Sequence, residues 1–370
     1  MPEARETTRD GSGLLPDLEP VQLLAPDGTI TEHPDHPLDL PLEEIVAMYR
    51  TMMVTRAVDQ EFMNLQRQGQ AALYAPCRGQ EAAQVGSAWA TEERDFVFPQ
   101  YRELGVAVAR GVDLLAMGHT WRGSWHSELN PVEQHFAALS VPLATQMLHA
   151  VGYAMGVRFD GEDSVVVTYF GDGATSEGDA HEALNFGAVF EVPIVFFIQN
   201  NQWAISTPVQ DQTRAPSLAH KGIGYGIPSV RCDGNDVLAS YVVMREAVAR
   251  ARAGEGPSLI EAVTYRQGPH TTSDDPTRYR SDDEVEHWRP LDPMVRLEAL
   301  LTQAGELDAA TVEAIEAASL AATTAIREAL FDAPDTSPLE VFEHVYTDPP
   351  RTLVDQRQEL ANELADHEEG

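Results

Sequence analysis

The chain of 370 residues carries 25 Lys and Arg against 59 Asp and Glu, a formal net charge of −34 at pH 7. At 43% hydrophobic it can bury a large core and is no disordered polyelectrolyte, yet it lacks the basic footprint that nucleic acid requires. No apolar run approaches the roughly 18 residues of a membrane span. The N-terminus has no basic-then-apolar order, and Cys77 and Cys232 form no disulfide framework, so a reducing, cytoplasmic location is expected.

Residues 1–40 read as an extended N-terminal arm with a short hairpin in LLAPDGTITE, where Asp27-Gly28 is a turn signal. From Leu42, LEEIVAMYRTMMVTRAVDQEFMNLQRQG has helical spacing and ends at Gly69. GQEAAQVGSAWA reads as a second helix with a small-residue face for close packing. DFVFPQYRELG reads as strand, loop and helix in turn. Then come two continuous apolar strands, SVVVTYF (164–170) and VPIVFFIQNN (192–201). The helix between them places Ala180, Ala183, Leu184 and Gly187 on one face. IPSVRCDG and SLIEAVTYR are two more strands, flanking the helix VLASYVVMREAVARARAGEG. Buried strands joined by helical crossovers imply an α/β fold, a parallel sheet covered by helices on both faces. The expected division is an arm (1–40), an α/β domain (41–290) and a C-terminal helical region (291–370) whose acidic end is a solvated helix.

The sheet directs attention to its strand ends, where ligands of parallel sheets collect. GDG (171–173) and NN (200–201) close the two strands of one βαβ unit. Singly, each is a turn. Together, Asp172 offers a hard anionic oxygen and Asn201 a neutral carbonyl oxygen, the ligand types that Mg²⁺ takes while leaving positions for water and phosphate. The glycines allow close backbone approach to a diphosphate, and the following helix aims its N-terminus at the same point. A nicotinamide-binding loop fits poorly: Ser176 stands where G-x-G-x-x-G needs its third glycine, and asparagines replace the ribose-binding acid.

These motifs resemble the signature of thiamine diphosphate enzymes. GDGATSEGDAHEALNFGAVFEVPIVFFIQNNQWAISTP in particular is similar to the alpha subunit of 2-oxo acid dehydrogenase complexes. RGQEAAQVG, FPQYRELG, SVPLATQ and YRQGPHTTSDDPTRYRS extend the likeness over about residues 40 to 290. The resemblance implies a thiamine diphosphate-binding fold in which Asp172, Asn201 and the main-chain oxygen of Trp203 hold Mg²⁺. It places Tyr101 and Arg102 on the diphosphate, with Gly171, Gly173, Ala174 and Gln199 lining its seat. Leu143 would press on the cofactor beside Val141, and Ser140, Pro142, Thr145 and Gln146 match a monovalent-cation (K⁺) loop of some members.

His270 would sit at the cofactor's reactive end as a basic group near neutrality, in a loop carrying Arg266, Tyr279 and Arg280. A loop-capping histidine is the alternative. The segment GHTWRGSWHSELNPVEQHFAAL departs from the common family form, and His126 is its candidate active-site histidine or a surface one. Thr271, Thr272 and Ser273 fall where some relatives are phosphorylated, with loop ordering the plainer role. The implied activity is oxidative decarboxylation of a 2-oxo acid with transfer of the acyl group to a lipoyl domain of an acyltransferase. A separate beta subunit would supply the glutamate for the aminopyrimidine, in an assembly of two alpha and two beta chains. The branched-chain type is favoured, with pyruvate or acetoin as the alternative substrate. A non-catalytic scaffold and a nicotinamide oxidoreductase are the readings from other classes.

Overall fold

The computed structural model describes residues 14–124, 129–332 and 337–368. In chain order the first elements are α1 (Leu42–Arg67), α2 (Glu81–Trp89), β1 (Phe96–Phe98), α3 (Leu104–Ala109) and α4 (Leu114–Arg122). A single turn, α5 (Pro131–Gln134), precedes α6 (Thr145–Asp160), β2 (Val166–Gly171), α7 (Gly178–Val189) and β3 (Ile194–Asn200). A two-residue ribbon, β4 (Trp203–Ala204) and β5 (Thr207–Pro208), leads into the one-turn α8 (Val209–Gln212). The chain continues through β6 (Ser229–Asp233), α9 (Val237–Arg252) and β7 (Ser258–Val263). It finishes with α10 (Asp282–Trp288), α11 (Pro293–Ala304), α12 (Ala309–Asp332) and α13 (Arg351–Glu368).

The main sheet is parallel throughout, in the order β1-β2-β3-β7-β6. Alternate residues of each strand serve opposite faces. Val167, Tyr169, Val195 and Phe197 join one core with α1, α2 and α9, while Val166, Phe170, Phe196 and Ile198 join a second with α6 and α7. Two-sided burial explains why β2 and β3 are unbroken apolar runs rather than alternating ones. Each buried phenylalanine contributes about 2–3 kcal/mol of transfer free energy. The return from β6 to β7 reverses the direction of winding, which puts α9 on the face opposite α7.

Small residues bring the helices close. A Cβ on Gly86 of α2 would lie 2.4 Å from the carbonyl oxygen of Val237 at the start of α9, so that face of α2 accepts glycine only. The arm is not free of the domain. Val21 bridges to Cys232 on the outer edge of β6, and Leu23 and Leu24 are buried in the same core as α1. Its hairpin forms at Asp27-Gly28, with Gly28 at φ 87° where a side chain would strike the backbone of α11. Asp236 fixes the arm by accepting from the backbone N–H groups of Leu23 and Leu24, both at 2.6 Å, while capping α9 through Leu238 and Ala239. Met294, Leu297 and Leu301 of α11 and Ile315, Ile326 and Leu330 of α12 belong to that core as well. Among the described residues of α13 no side chain is buried, in line with a solvated acidic helix.

Candidate active site

Loops following β1, β2, β3 and β7 meet at the carboxyl edge of the sheet around a cavity of about 670 Å³. Parallel strands leave this edge open because their connecting loops can vary without disturbing the hydrogen-bond ladder. Asp172 and Asn201, each at a strand end, both line it. So do Tyr101, Arg102, Gly173 and His270.

Asp172 is 1% exposed, and burial raises its carboxyl pKa above the usual value, opposed by the amide of Gln212 and the nearby backbone N–H of Asn201. Its Oδ2 accepts from Gln212 Nε2 at 2.5 Å, while among the described residues Oδ1 makes no side-chain hydrogen bond. A buried carboxylate so sparsely partnered is costly unless a cation joins it. A Cβ on Gly173 would lie 2.7 Å from that of Ala204, so glycine is required there, whereas the space beside Gly171 is open. Lys221, the one lysine of the sequence, braces the same turn by donating to Thr175 O at 2.9 Å and Oγ1 at 2.8 Å. Thr175 Oγ1 in turn donates to Asp172 O.

Asn201 is held on both sides. Its Nδ2 donates to Gln80 Oε1 at 3.2 Å, and its Oδ1 accepts from the backbone N–H of Trp203 at 3.3 Å. The carbonyl oxygen of Trp203 accepts from Arg266 Nη1 at 3.1 Å, leaving its second lone pair. Around it the backbone is strained. Gln202 (φ 75°) and the β-branched Ile205 (φ 54°) are left-handed, at a cost of about 1–3 kcal/mol each. Arg266 holds this shape by also donating to Ile205 O at 2.7 Å.

Arg102 lines the cavity and, like Arg266 of the loop after β7, is buried. Arg102 donates through Nη1 to Pro76 O at 2.5 Å and through Nη2 to His270 O at 2.8 Å and Nδ1 at 3.1 Å. Arg266 Nη1 reaches the same Nδ1 at 3.4 Å. A guanidinium only donates, so Nδ1 is the acceptor and the imidazole proton sits on Nε2. Burial, Arg102 and Arg266 together push the His270 pKa down to about 3, against a smaller opposing pull from Asp274. Here the environment departs from the expectation of a histidine titrating near neutrality: His270 is a neutral donor through Nε2–H.

Of the remaining loop residues Thr271 lines the cavity, and the others brace it. Tyr279 accepts from Arg266 Nη2 at 2.8 Å and donates to Asp274, which also accepts from the backbone N–H of His270 at 2.7 Å. Arg280 is turned onto the loop's own carbonyls, those of Arg266, Gln267 and Gly268, and does not line the cavity. Its position is that of a staple, because six-atom reach in a tight loop lets a guanidinium satisfy backbone oxygens first. Thr272 pairs with the backbone of Tyr74, and Thr271 Oγ1 lies 3.1 Å from Ser273 Oγ.

Val141 and Leu143 form the apolar rim of the cavity. Ala174 and Gln199 line it as well. Ser140 Oγ donates to Pro142 O at 3.2 Å, and Thr145 Oγ1 to Asp179 at 3.4 Å. Gln146 donates to Tyr169 O at 2.9 Å but leaves a buried, unpartnered Oε1, the one feature of this loop that suits a monovalent cation. His126 lies outside the described residues.

Sequence reasoning passed over several contributors. Gln84 and Glu103 are buried and fix Gln199 between them, at 2.7 Å each. Glu103 also gathers the backbone N–H groups of Gln100 and Arg102, which shapes the QYRE turn. Gln80 and Gln100 line the cavity and carry buried Nε2 groups with no partner among the described residues. Orphan donors on residues that line the same cavity as Arg102 suit a phosphate oxyanion, and together with Asp172 they make the residues present a fit for a diphosphate held through a divalent cation. Among the described residues no group of three His, Cys, Asp or Glu converges, as expected when a single carboxylate is joined by an amide and a carbonyl oxygen.

A covered parallel sheet with a carboxylate and an amide closing adjacent strands over one cavity is consistent with the fold of a dehydrogenase E1 component. The family model of that description, Dehydrogenase E1 component, matches residues 49–341, and the chain belongs to this family. It is 56% identical over 362 residues to the 3-methyl-2-oxobutanoate dehydrogenase subunit alpha of Mycobacterium tuberculosis, covering 97% of this chain and 99% of that one. It is 39% identical over 340 residues to the pyruvate dehydrogenase E1 component subunit alpha of Staphylococcus aureus, covering 91% of each.

Proposed function

We propose that this chain is the alpha subunit of a branched-chain 2-oxo acid dehydrogenase that binds thiamine diphosphate through Mg²⁺. The observation that carries this reading is the buried, under-partnered Asp172 beside Asn201, in a cavity with orphan amide donors. The 56% identity to a 3-methyl-2-oxobutanoate dehydrogenase subunit alpha, against 39% to a pyruvate type, favours the branched-chain substrate.

When bound, thiamine diphosphate supplies the electron sink for loss of CO₂ from a 2-oxo acid. Asp172 Oδ1, Asn201 Oδ1 and the Trp203 carbonyl oxygen hold the cation. Arg102, Gln80 and Gln100 donate to the diphosphate oxygens, with Gly171, Gly173, Ala174 and Gln199 shaping the seat. Tyr101 joins Arg102 at the diphosphate, and Leu143 presses on the cofactor with Val141 beside it. His270 presents Nε2–H to an oxygen of the substrate, oriented by Arg102 and Arg266. Gln146, with Ser140, Pro142 and Thr145, accommodates K⁺. A beta subunit supplies the glutamate that engages the aminopyrimidine, in an assembly of two alpha and two beta chains. The acyl group passes to a lipoyl domain of the partner acyltransferase, in the cytoplasm. Among the described residues no helix is long and apolar enough to cross a membrane.

The test is decarboxylation by the chain alone and after co-purification with its beta chain, on 3-methyl-2-oxobutanoate and on pyruvate. Turnover only by the pair, faster on the branched-chain acid, is expected. Turnover by the alpha chain alone, or none by the pair on either acid, overturns the proposal. A preference for pyruvate replaces its substrate with that of the Staphylococcus relative.

A further inference from the structure

We infer that Gln212 is the positioning residue for the cation ligand Asp172: its amide takes one carboxylate oxygen and reserves the other for the cation. The inference rests on the metal role proposed above. Asp172 is 1% exposed, so its orientation depends on protein partners rather than on water. Gln212 Nε2 donates to Asp172 Oδ2 at 2.5 Å and to Thr207 O at 3.0 Å, which uses both of its hydrogens. Both of those partners only accept. The amide therefore cannot be reversed, since turning Oε1 inward would gather three oxygens at one point. Gln212 Oε1 is itself buried and unpartnered, so the two bonds from Nε2 are what hold the side chain in place.

The chain around Gln212 suits this role. It closes α8, directly after the ribbon that begins at Trp203, and Ala204 of that ribbon packs on Gly173 next to Asp172. One strap thus carries a proposed ligand at its start and the support for another at its end. Among the described residues no other side chain hydrogen-bonds to the Asp172 carboxylate. Partners that orient a metal ligand in this way are worth about 10–100-fold in metal affinity when removed.

The experiment measures Mn²⁺ affinity by electron paramagnetic resonance in the assembled alpha–beta complex with thiamine diphosphate. The variants are Gln212→Leu, the closer-volume Gln212→Met, the exposed neighbour Gln210→Leu and Asp172→Asn. Both Gln212 variants should bind Mn²⁺ about 10–100-fold more weakly. Their kcat should recover at saturating Mn²⁺, and Gln210→Leu should match wild type. Unchanged Mn²⁺ affinity in the Gln212 variants, with loss in Asp172→Asn, overturns this inference and leaves the metal role standing. A kcat that excess Mn²⁺ does not restore also overturns it, because it marks a structural effect. Unchanged affinity in Asp172→Asn removes the metal role itself.

Discussion

Asp172 and Asp236 are the same residue type, both buried, and burial raises the pKa of each. Their partners separate them. Asp236 accepts from four backbone N–H groups, two from the arm and two from the first turn of α9. Among the described residues Asp172 has one side-chain donor, Gln212, and it lines a cavity. A carboxylate surrounded by backbone donors has a structural task that is complete in the folded chain. One with a single side-chain donor, lining an open cavity together with Arg102, is prepared for something the chain does not contain.

Replacing each aspartate should therefore break a different property. Asp172→Asn should abolish cation-dependent cofactor binding, a larger loss than the 10–100-fold expected of a supporting partner. Its thermal unfolding should stay level or shift upward, because a desolvated charge has been removed. Asp236→Ala should do the reverse, costing about 3–5 kcal/mol in chemical denaturation by orphaning buried backbone donors. Cofactor affinity of its folded fraction should stay unchanged in calorimetry.

The comparison sharpens with pH. The Asp236 carboxyl is raised from 3.8 to about 6, so the folded state holds the proton more tightly than the unfolded one. Its contribution to stability is thus full below about pH 4 and lost as pH rises through about 6, amounting to up to about 3 kcal/mol. Urea unfolding of wild type against Asp236→Asn from pH 4 to 7 should show wild type losing ground as pH rises; a flat difference would contradict this origin. His270 has the opposite sign. Its pKa falls from 6.5 to about 3, so its stability contribution is present above 6.5 and lost as pH falls toward 3. The Cε1–H resonance of His270 should stay constant from pH 5.5 to 8, and a midpoint near 6.5 would show that Arg102 and Arg266 do not hold it neutral.

Local chemistry made half of this legible in sequence. Strands β2 and β3 announce themselves as continuous apolar runs, and Asp172 and Asn201 stand out because a burial argument gives no reason for them at a strand end. The supporting residues carry no such mark. Gln84 meets Gln199 across 115 positions and Gln212 meets Asp172 across 40, and an amide in a helix or loop looks the same in sequence whether it holds a ligand or faces water. Asp236 reads as an ordinary helix cap, and only the packed arm shows its second pair of donors. Arg280 lay in the right loop but serves its backbone, a choice made by loop geometry rather than residue type.

The most direct measurement is calorimetric titration of thiamine diphosphate into the metal-stripped alpha–beta complex, with Mg²⁺ and with a chelator, for wild type and Asp172→Asn. Saturable binding is expected only for wild type with Mg²⁺. Equal affinity with and without the cation, or between wild type and Asp172→Asn, would contradict the metal role.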